Sequence, residues 1–358
     1  MCNFWRLVLL ATLSAGAEAA SIHKRSCSQS STPTTPAPVP TIGPGADDNG
    51  GNSATSYQLN ETWIGDKFYE GFTFYNGSSP TQGRVNYVDK DTALASNLSF
   101  TSSDAFVLAV DSVTTLDPSS TVGRNSTRIE GVHNYTTHAA VLDVRHMPEG
   151  MATWPAYWMM GGKWPEGGEF DIIEGVNDSP PNAMSLHTAV NSSCLLSNDT
   201  DSSLMKGTPD QKQCAWTIDN TGCGFKDTNS HSFGPAFNER GGGWYATERT
   251  PSSLKVWFWS RNDPKVPQDV REDSGTVSPS TWGLPTASFT SSSISCDISE
   301  NFQPHRFIIN IELCVSLTSM QAGAVFPGGP DACVKHVNEN PDAFKDAYWD
   351  IARLSVYK

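Results

Sequence analysis

From Ser56 to its end the chain is a succession of short apolar segments punctuated by Gly, Pro, Asn and Ser, and this punctuation limits the fold more than any other feature. Segments at Phe72–Phe74, Phe106–Val110, Asn125–Val132, Ala139–Val144, Ala156–Met160, Glu169–Ile173 and Met184–Val190 read as strands. So do Trp244–Glu248, Leu254–Trp259, Arg306–Leu313 and Trp349–Tyr357. Strong helical periodicity is scarce, and only Asp342–Tyr348 reads as a short helical turn. No repeat period is visible, which argues against a propeller or solenoid. Many short strands bury their apolar faces most simply in two antiparallel sheets packed face to face. The expectation is an all-β sandwich over residues 56–358, a single domain of about 300 residues.

The first residues read as an export signal, assigned to 1–20. Arg6 is followed by the apolar run Leu7–Leu13 and by the small-residue cleavage site Ala17-Glu18-Ala19. That run is too short to span a bilayer, and no later segment approaches the required length. The C-terminal Leu354–Lys358 has no hydrophobic tail of the kind a lipid anchor uses. Residues 21–55 are rich in Ser, Thr, Pro and Gly and read as a disordered linker or tail; Lys24-Arg25 within them reads equally well as a processing site or a chance pair. Asn60, Asn76, Asn97, Asn125, Asn134, Asn191 and Asn198 each begin a glycosylation triplet, and Asn177 does so with Pro180 close behind. Cys2 leaves with the signal and Cys27 lies in the linker. Cys194, Cys214, Cys223, Cys296, Cys314 and Cys333 are even in number, as three disulfides would be, with their pairing left open. A net charge of −14 with no basic stripe argues against nucleic acid and anionic membranes as partners. A secreted, extracellular monomer is expected.

The stretch Glu169-Phe170-Asp171-Ile172-Ile173-Glu174 places three carboxylates in six residues. Strand alternation puts Glu169 and Asp171 on one face and Phe170 and Ile172 in a core. Glu174 falls on the wrong face unless a β-bulge near Ile172-Ile173 adds one residue. Acids crowded on one face raise the cost of ionising each other. Such a pair, one ionised and one protonated, suits cleavage of a glycosidic bond. A solvated strand face and a calcium site are the plainer readings of the same acids. The flanking Trp154, Trp158 and Trp164 favour carbohydrate, because sugar rings pack their C–H faces on aromatic rings. One or two of the three are expected to line the cleft, the remainder being core. Neither a phosphate-binding glycine loop nor a Gly-x-Ser-x-Gly nucleophile turn is present. The residues alone leave open which glutamate attacks.

Trp154-Pro-Ala-Tyr-Trp158, Trp164-Pro165, Gly168-Glu-Phe-Asp-Ile-Ile-Glu-Gly-Val-Asn177 and Leu186-His-Thr188 together resemble glycoside hydrolase family 16, in its fungal laminarinase-like, six-residue form. The likeness continues through His146–Gly150, Gly222–Gly224, Gly241–Ala246, Val256–Phe258, Trp282–Pro285 and Asn340–Trp349. It implies a β-jelly roll of concanavalin A-like type, two curved antiparallel sheets with the substrate along the concave face. It implies retaining endo-hydrolysis of β-1,3 or mixed-linkage β-1,3/1,4-glucan, with Glu169 as nucleophile, Glu174 as acid and then base, and Asp171 assisting between them. Trp154, Trp158 and Trp164 would be sugar platforms. His187 would sit beside the acid/base, bonding Glu174 or substrate, and Glu248 would reach a glucose hydroxyl. No cofactor or metal is expected; the resemblance allows a structural calcium ion, for which the sequence specifies no ligand set. Departures are Phe170 where the family has Ile, Arg249 where a tryptophan commonly follows the glutamate, and the Cys314–Gly323 stretch, which lacks an expected aromatic. Two alternatives use the same face: a wall-remodelling β-glucan transglycosylase, and a non-catalytic glucan-binding protein.

Overall fold

Strand alternation sorts these segments into two sheets sharing one core. The structure, a computed structural model, describes residues 55–197, 203–217, 222–314 and 326–358. The signal segment, nearly all of the 21–55 linker with Lys24-Arg25 and Cys27, the acceptor Asn198, and most of the Cys314–Gly323 departure lie outside the described residues.

One sheet has eight strands, in the order Thr208–Pro209, Cys223–Lys226, Ala183–His187, Glu169–Glu174, Thr153–Gly161, His305–Leu313, Arg128–Gly131, Phe72–Phe74. The other has nine. Its main path runs Thr276–Val277, Tyr57–Trp63, Tyr348–Tyr357, His138–His146, Gly243–Thr250, Ser253–Ser260, Ala287–Thr290. Phe106–Ala109 pairs with Tyr348–Tyr357, and Ser99–Thr101 pairs with Phe106–Ala109. The pairing within both sheets is antiparallel. A small third sheet joins Gly77–Ser78, Val85–Tyr87 and Arg124–Ser126.

The main core is made by alternate residues of both large sheets. Tyr157, Met159, Phe170, Leu186, Phe307 and Ile309 of the eight-stranded sheet pack with Leu142, Tyr245, Phe258, Phe289 and Leu354 of the nine-stranded one. Each fully buried side chain of this kind contributes ~1.5–3 kcal/mol relative to exposure. Phe170 lies edge-on to Phe289 with centroids 6.3 Å apart, so the larger ring is absorbed across the sheet-to-sheet gap. A second cluster covers the far face of the nine-stranded sheet, where Trp244, Ala246, Trp257 and Trp259 meet Tyr57, Val270 and Trp282.

Several elements differ from the sequence reading. The helical turn spans only Pro341–Phe344, and an 11-residue helix, Gly329–Glu339, precedes it. Few apolar residues mark this helix, because it is held by other means. Cys333 is bridged to Cys314, and the buried Arg124 guanidinium donates to the carbonyl of Val337 at 2.6 and 2.9 Å near the helix end. Tyr57–Trp63, Val85–Tyr87, Cys223–Lys226 and Ala287–Thr290 are further strands, too short or too polar to announce themselves. The three bridges pair Cys194 with Cys296, Cys214 with Cys223 and Cys314 with Cys333. Asn60, Asn76, Asn97, Asn134 and Asn191 are exposed, whereas the Asn125 side chain accepts from the Asn86 amide at 2.8 Å. Among the described residues no helix is long and apolar enough to cross a membrane.

Candidate active site

The site begins with a fault in the strand ladder. Against Thr153–Gly161, Tyr157 faces Ile173 and Trp158 faces Asp171, so Ile172 is the extra residue. Against Ala183–His187 the register shifts between Asp171 and Glu174. Phe170, Ile172 and Ile173 all enter the core, and Glu169 and Glu174 remain partly exposed. A regular strand would have turned Ile173 outward and Glu174 inward; the bulge reverses both.

The backbone entering this strand is tightly held. Gly168 has φ +75°, and a Cβ on Gly167 would lie 1.6 Å from the Gly161 carbonyl oxygen, so only glycine fits there. Gln303 N–H and His305 Nε2 both bond the Gly167 carbonyl, at 3.0 and 3.1 Å. Arg249, in the position where a tryptophan is usual, points into the interior. It donates to the Phe302 and Gln303 carbonyls at 2.5 and 2.9 Å, bracing the loop behind Glu169.

Each acid has its own partners. Trp164 Nε1 donates to Glu169, and Trp154 Nε1 donates to Glu174 at 2.9 Å. Ser185 Oγ donates to Asp171 at 2.6 Å, and His187 Nε2 lies 3.5 Å from the same carboxylate oxygen. Burial pushes Glu169 up to about 7; the Glu174 charge adds to this, and the Trp164 N–H opposes it. Burial and then the two glutamate charges hold Asp171 well above the carboxylate range. Burial also raises Glu174, against the His187 charge and the Trp154 bond. Burial thus shifts all three acids toward their protonated forms, and a hydrogen bond from Asp171 favours ionised Glu169. Glu169, Asp171 and His187 offer ligand atoms within 4.8 Å of one another. The Trp164 N–H and the Ser185 O–H already donate to two of these carboxylates, as sugar hydroxyls can.

All three singled-out tryptophans contribute to this face, more than the one or two expected. Trp158 Nε1 donates to Asn310 Oδ1 at 2.7 Å, and the Arg128 guanidinium lies 5.1 Å from both the Trp158 and Tyr75 rings. Trp164 meets Trp216 edge-on at 5.4 Å. Trp216, Arg128 and Tyr75 were missed from sequence. Trp216 sits in a segment without strand patterning, and only its place between Cys214 and Cys223 marked it as held in position.

His187 faces Glu169 across the ladder and contacts Asp171, and its charge also acts on Glu174. One expectation needs correction. Glu248 is not at the site. It shares the face of Trp244 and Ala246 on the far side of the nine-stranded sheet, bonded by Tyr57 Oη at 3.2 Å and Lys255 Nζ at 2.9 Å. Alternation sends only Tyr245, Thr247 and Arg249 of that strand toward the core.

Replacing Trp164 by Phe keeps an aromatic surface and removes the N–H that favours ionised Glu169. The acid limb of any pH–rate profile that depends on ionised Glu169 should move to higher pH by about one unit, with rates falling roughly tenfold per unit below it. A pH profile that does not move would contradict this role. Behind the bulge, Asp227 is 5% exposed; its Oδ1 accepts from the Asn229 N–H at 2.8 Å, while its Oδ2 has no partner among the described residues. Burial pushes it up to about 6 from an unfolded value of 3.8. A raised acid costs nothing below the unfolded value, and its full cost is reached once pH exceeds the folded one. Asp227→Asn should therefore add about 2–3 kcal/mol at pH 7 and nothing below pH ~4, read from thermal melts at both pH values.

Two packed antiparallel sheets, one presenting an acid-lined and tryptophan-lined outer face, define a jelly-roll protein of the carbohydrate-active kind. The chain belongs to glycoside hydrolase family 16: the model for the XgeA-like, catalytic GH16 domain matches residues 72–357. It is 39% identical over 315 residues to a probable endo-1,3(4)-beta-glucanase of Aspergillus fumigatus, across 85% of this chain and 46% of that protein. The chain thus spans about half the length of the curated relatives it matches. The GH16 laminarinase 16A of Phanerochaete chrysosporium, solved with 6-O-glucosyl-laminaritriose in both donor and acceptor sites, is 48% identical with a TM-score of 0.78, covering 85% of this chain and all of that one. An elongating GH family 16 beta-1,3-glucosyltransferase is 32% identical with a TM-score of 0.75, covering 84% of this chain and all of that one.

Proposed function

We propose that this chain is a retaining endo-hydrolase of β-1,3 or mixed-linkage β-1,3/1,4-glucan. The observation that carries the reading is the bulged strand, which turns Glu169 and Glu174 to one face and gives each an indole N–H partner. Glu174, its carboxyl raised by burial, donates its proton to the glycosidic oxygen as Glu169 attacks the anomeric carbon. The Trp164 N–H and protonated Asp171 stabilise Glu169 as the carboxylate it must be to attack. Water then gives its proton to Glu174 and displaces Glu169 from the anomeric carbon, restoring both groups. Trp154, Trp158, Trp164 and Trp216 offer apolar surface to the sugar faces. The names of the Aspergillus and Phanerochaete relatives support the glucan as substrate.

A second reading, transfer of the glycosyl group to a sugar hydroxyl, is favoured by the glucosyltransferase neighbour. Size-resolved products from laminarin, barley mixed-linkage glucan and chitin oligomers separate the two. Shorter glucan products that vanish in Glu169→Gln are the expected result. Products longer than the donor would replace hydrolysis by transfer, and no product from any glucan would overturn both. We further read the chain as an exported monomer acting on polysaccharide outside the cell; the Leu7–Leu13 leader pattern and the three bridges support export.

A further inference from the structure

The bulge that directs Glu174 outward leaves backbone groups without ladder partners. Asp171 pairs with Ser185 and Glu174 with Ala183, so Ile172 and Ile173 together oppose the single Met184. An unpaired peptide group in this position would be buried, since both isoleucines are fully inside. The chain fills the gap with a side chain. Asn182 Oδ1 accepts from the Glu174 N–H at 3.0 Å, and Asn182 Nδ2 donates to the Ile172 carbonyl at 2.8 Å. One carboxamide thus supplies both a donor and an acceptor, as a peptide unit of a neighbouring strand would. Asn182 is 0% exposed, and its own backbone is fastened at both ends. Its N–H donates to Ser232 Oγ at 2.9 Å, and its carbonyl accepts from the Asp227 N–H at 2.9 Å.

We propose that Asn182 is a positioning residue that acts through Glu174, holding the bulge open at the turn from which this carboxyl is aimed at the leaving oxygen. The proposal rests on the reading of Glu174 as acid and base. Glu169 precedes the bulge and pairs regularly with Met160 and His187, so Asn182 governs the direction of one acid and leaves the other in place.

That selectivity gives the test. Proton donation matters for a poor leaving group, such as the sugar hydroxyl of a glucan, and hardly at all for 2,4-dinitrophenolate, which leaves unprotonated. In Asn182→Ala and the near-isosteric Asn182→Asp, which loses the donor and keeps the acceptor, kcat/KM on laminarin should fall about 30- to 100-fold. On 2,4-dinitrophenyl β-laminaribioside it should fall less than about threefold, since the first step still proceeds from Glu169. Added azide should then raise turnover of the aryl glycoside and yield the β-glycosyl azide. The azide nitrogen attacks the anomeric carbon, the bond to Glu169 breaks with its electron pair, and no base is needed. Glu174→Gln is the benchmark and should show the same split more strongly. Equal losses on both substrates, or no loss on either, in variants measured beside a Glu174→Gln that does split would overturn the role of Asn182 alone. A Glu174→Gln without the split, or a wild-type protein inert on laminarin, would overturn the reading of Glu174 and this proposal with it.

Discussion

Glu169→Gln is expected to abolish turnover of both laminarin and activated aryl glycosides, by on the order of 10⁴-fold or more, because the amide cannot form the glycosyl ester. The loss should be nearly the same on either substrate, since the attacking group is needed whatever leaves. Glu174→Gln should instead cost about 10²–10⁴-fold on glucan and far less on a dinitrophenyl glycoside. The Glu169 substitution should not unfold the site. The amide oxygen still accepts from Trp164 Nε1, and a crowded negative charge is gone, so the melting temperature at pH 8 should be unchanged or higher. A Glu169→Gln protein retaining a tenth of wild-type activity would exclude this carboxylate as the nucleophile.

Removal of the Cys194–Cys296 bridge is expected to have the largest effect on stability. It closes a loop with a sequence separation of 102, for which chain entropy suggests about 4–5 kcal/mol. That corresponds to a fall of roughly 10 °C in Tm for Cys194→Ala/Cys296→Ala. The Cys214–Cys223 bridge spans only 9 positions and should contribute about 2–3 kcal/mol. Its loss should appear mainly as a raised KM, because Trp216, which meets Trp164, lies inside its loop. Thermal melts and kinetics on the two double variants separate these effects. Equal stability losses would show that unfolded-state entropy is not the governing term.

Much of the sandwich was legible because its long strands are dense apolar and aromatic runs closed by turn residues. Thr153–Gly161, His138–His146, Gly243–Thr250 and His305–Leu313 are buried along most of their length, so density and punctuation marked them more than alternation did. The bulge was legible from alternation: with Phe170 and Ile172 inward, Glu174 could join Glu169 only through an extra residue. The helix Gly329–Glu339 was not legible, because a bridge and a buried arginine hold it where an apolar stripe would be expected. Glu248 misled for a related reason. The resemblance pointed it at a glucose hydroxyl, but the second apolar cluster, which covers that far face and removes it from any cleft, depends on Tyr57 and Trp282, distant in sequence.

The sequence by itself determined which side chains share a face, because that is a local property of the extended backbone with a period of two. It thereby grouped Glu169, Asp171 and, through one added residue, Glu174. Only the tertiary structure decided what stands next to that group. The indole partners of the two glutamates, Trp216 beside Trp164, His187 against Asp171 and Asn182 within the bulge come from strands and loops whose proximity is set by sheet order and core packing. Some of those contacts join near neighbours, such as Trp164 with Glu169, and others residues tens of positions apart, and no local periodicity encodes either kind.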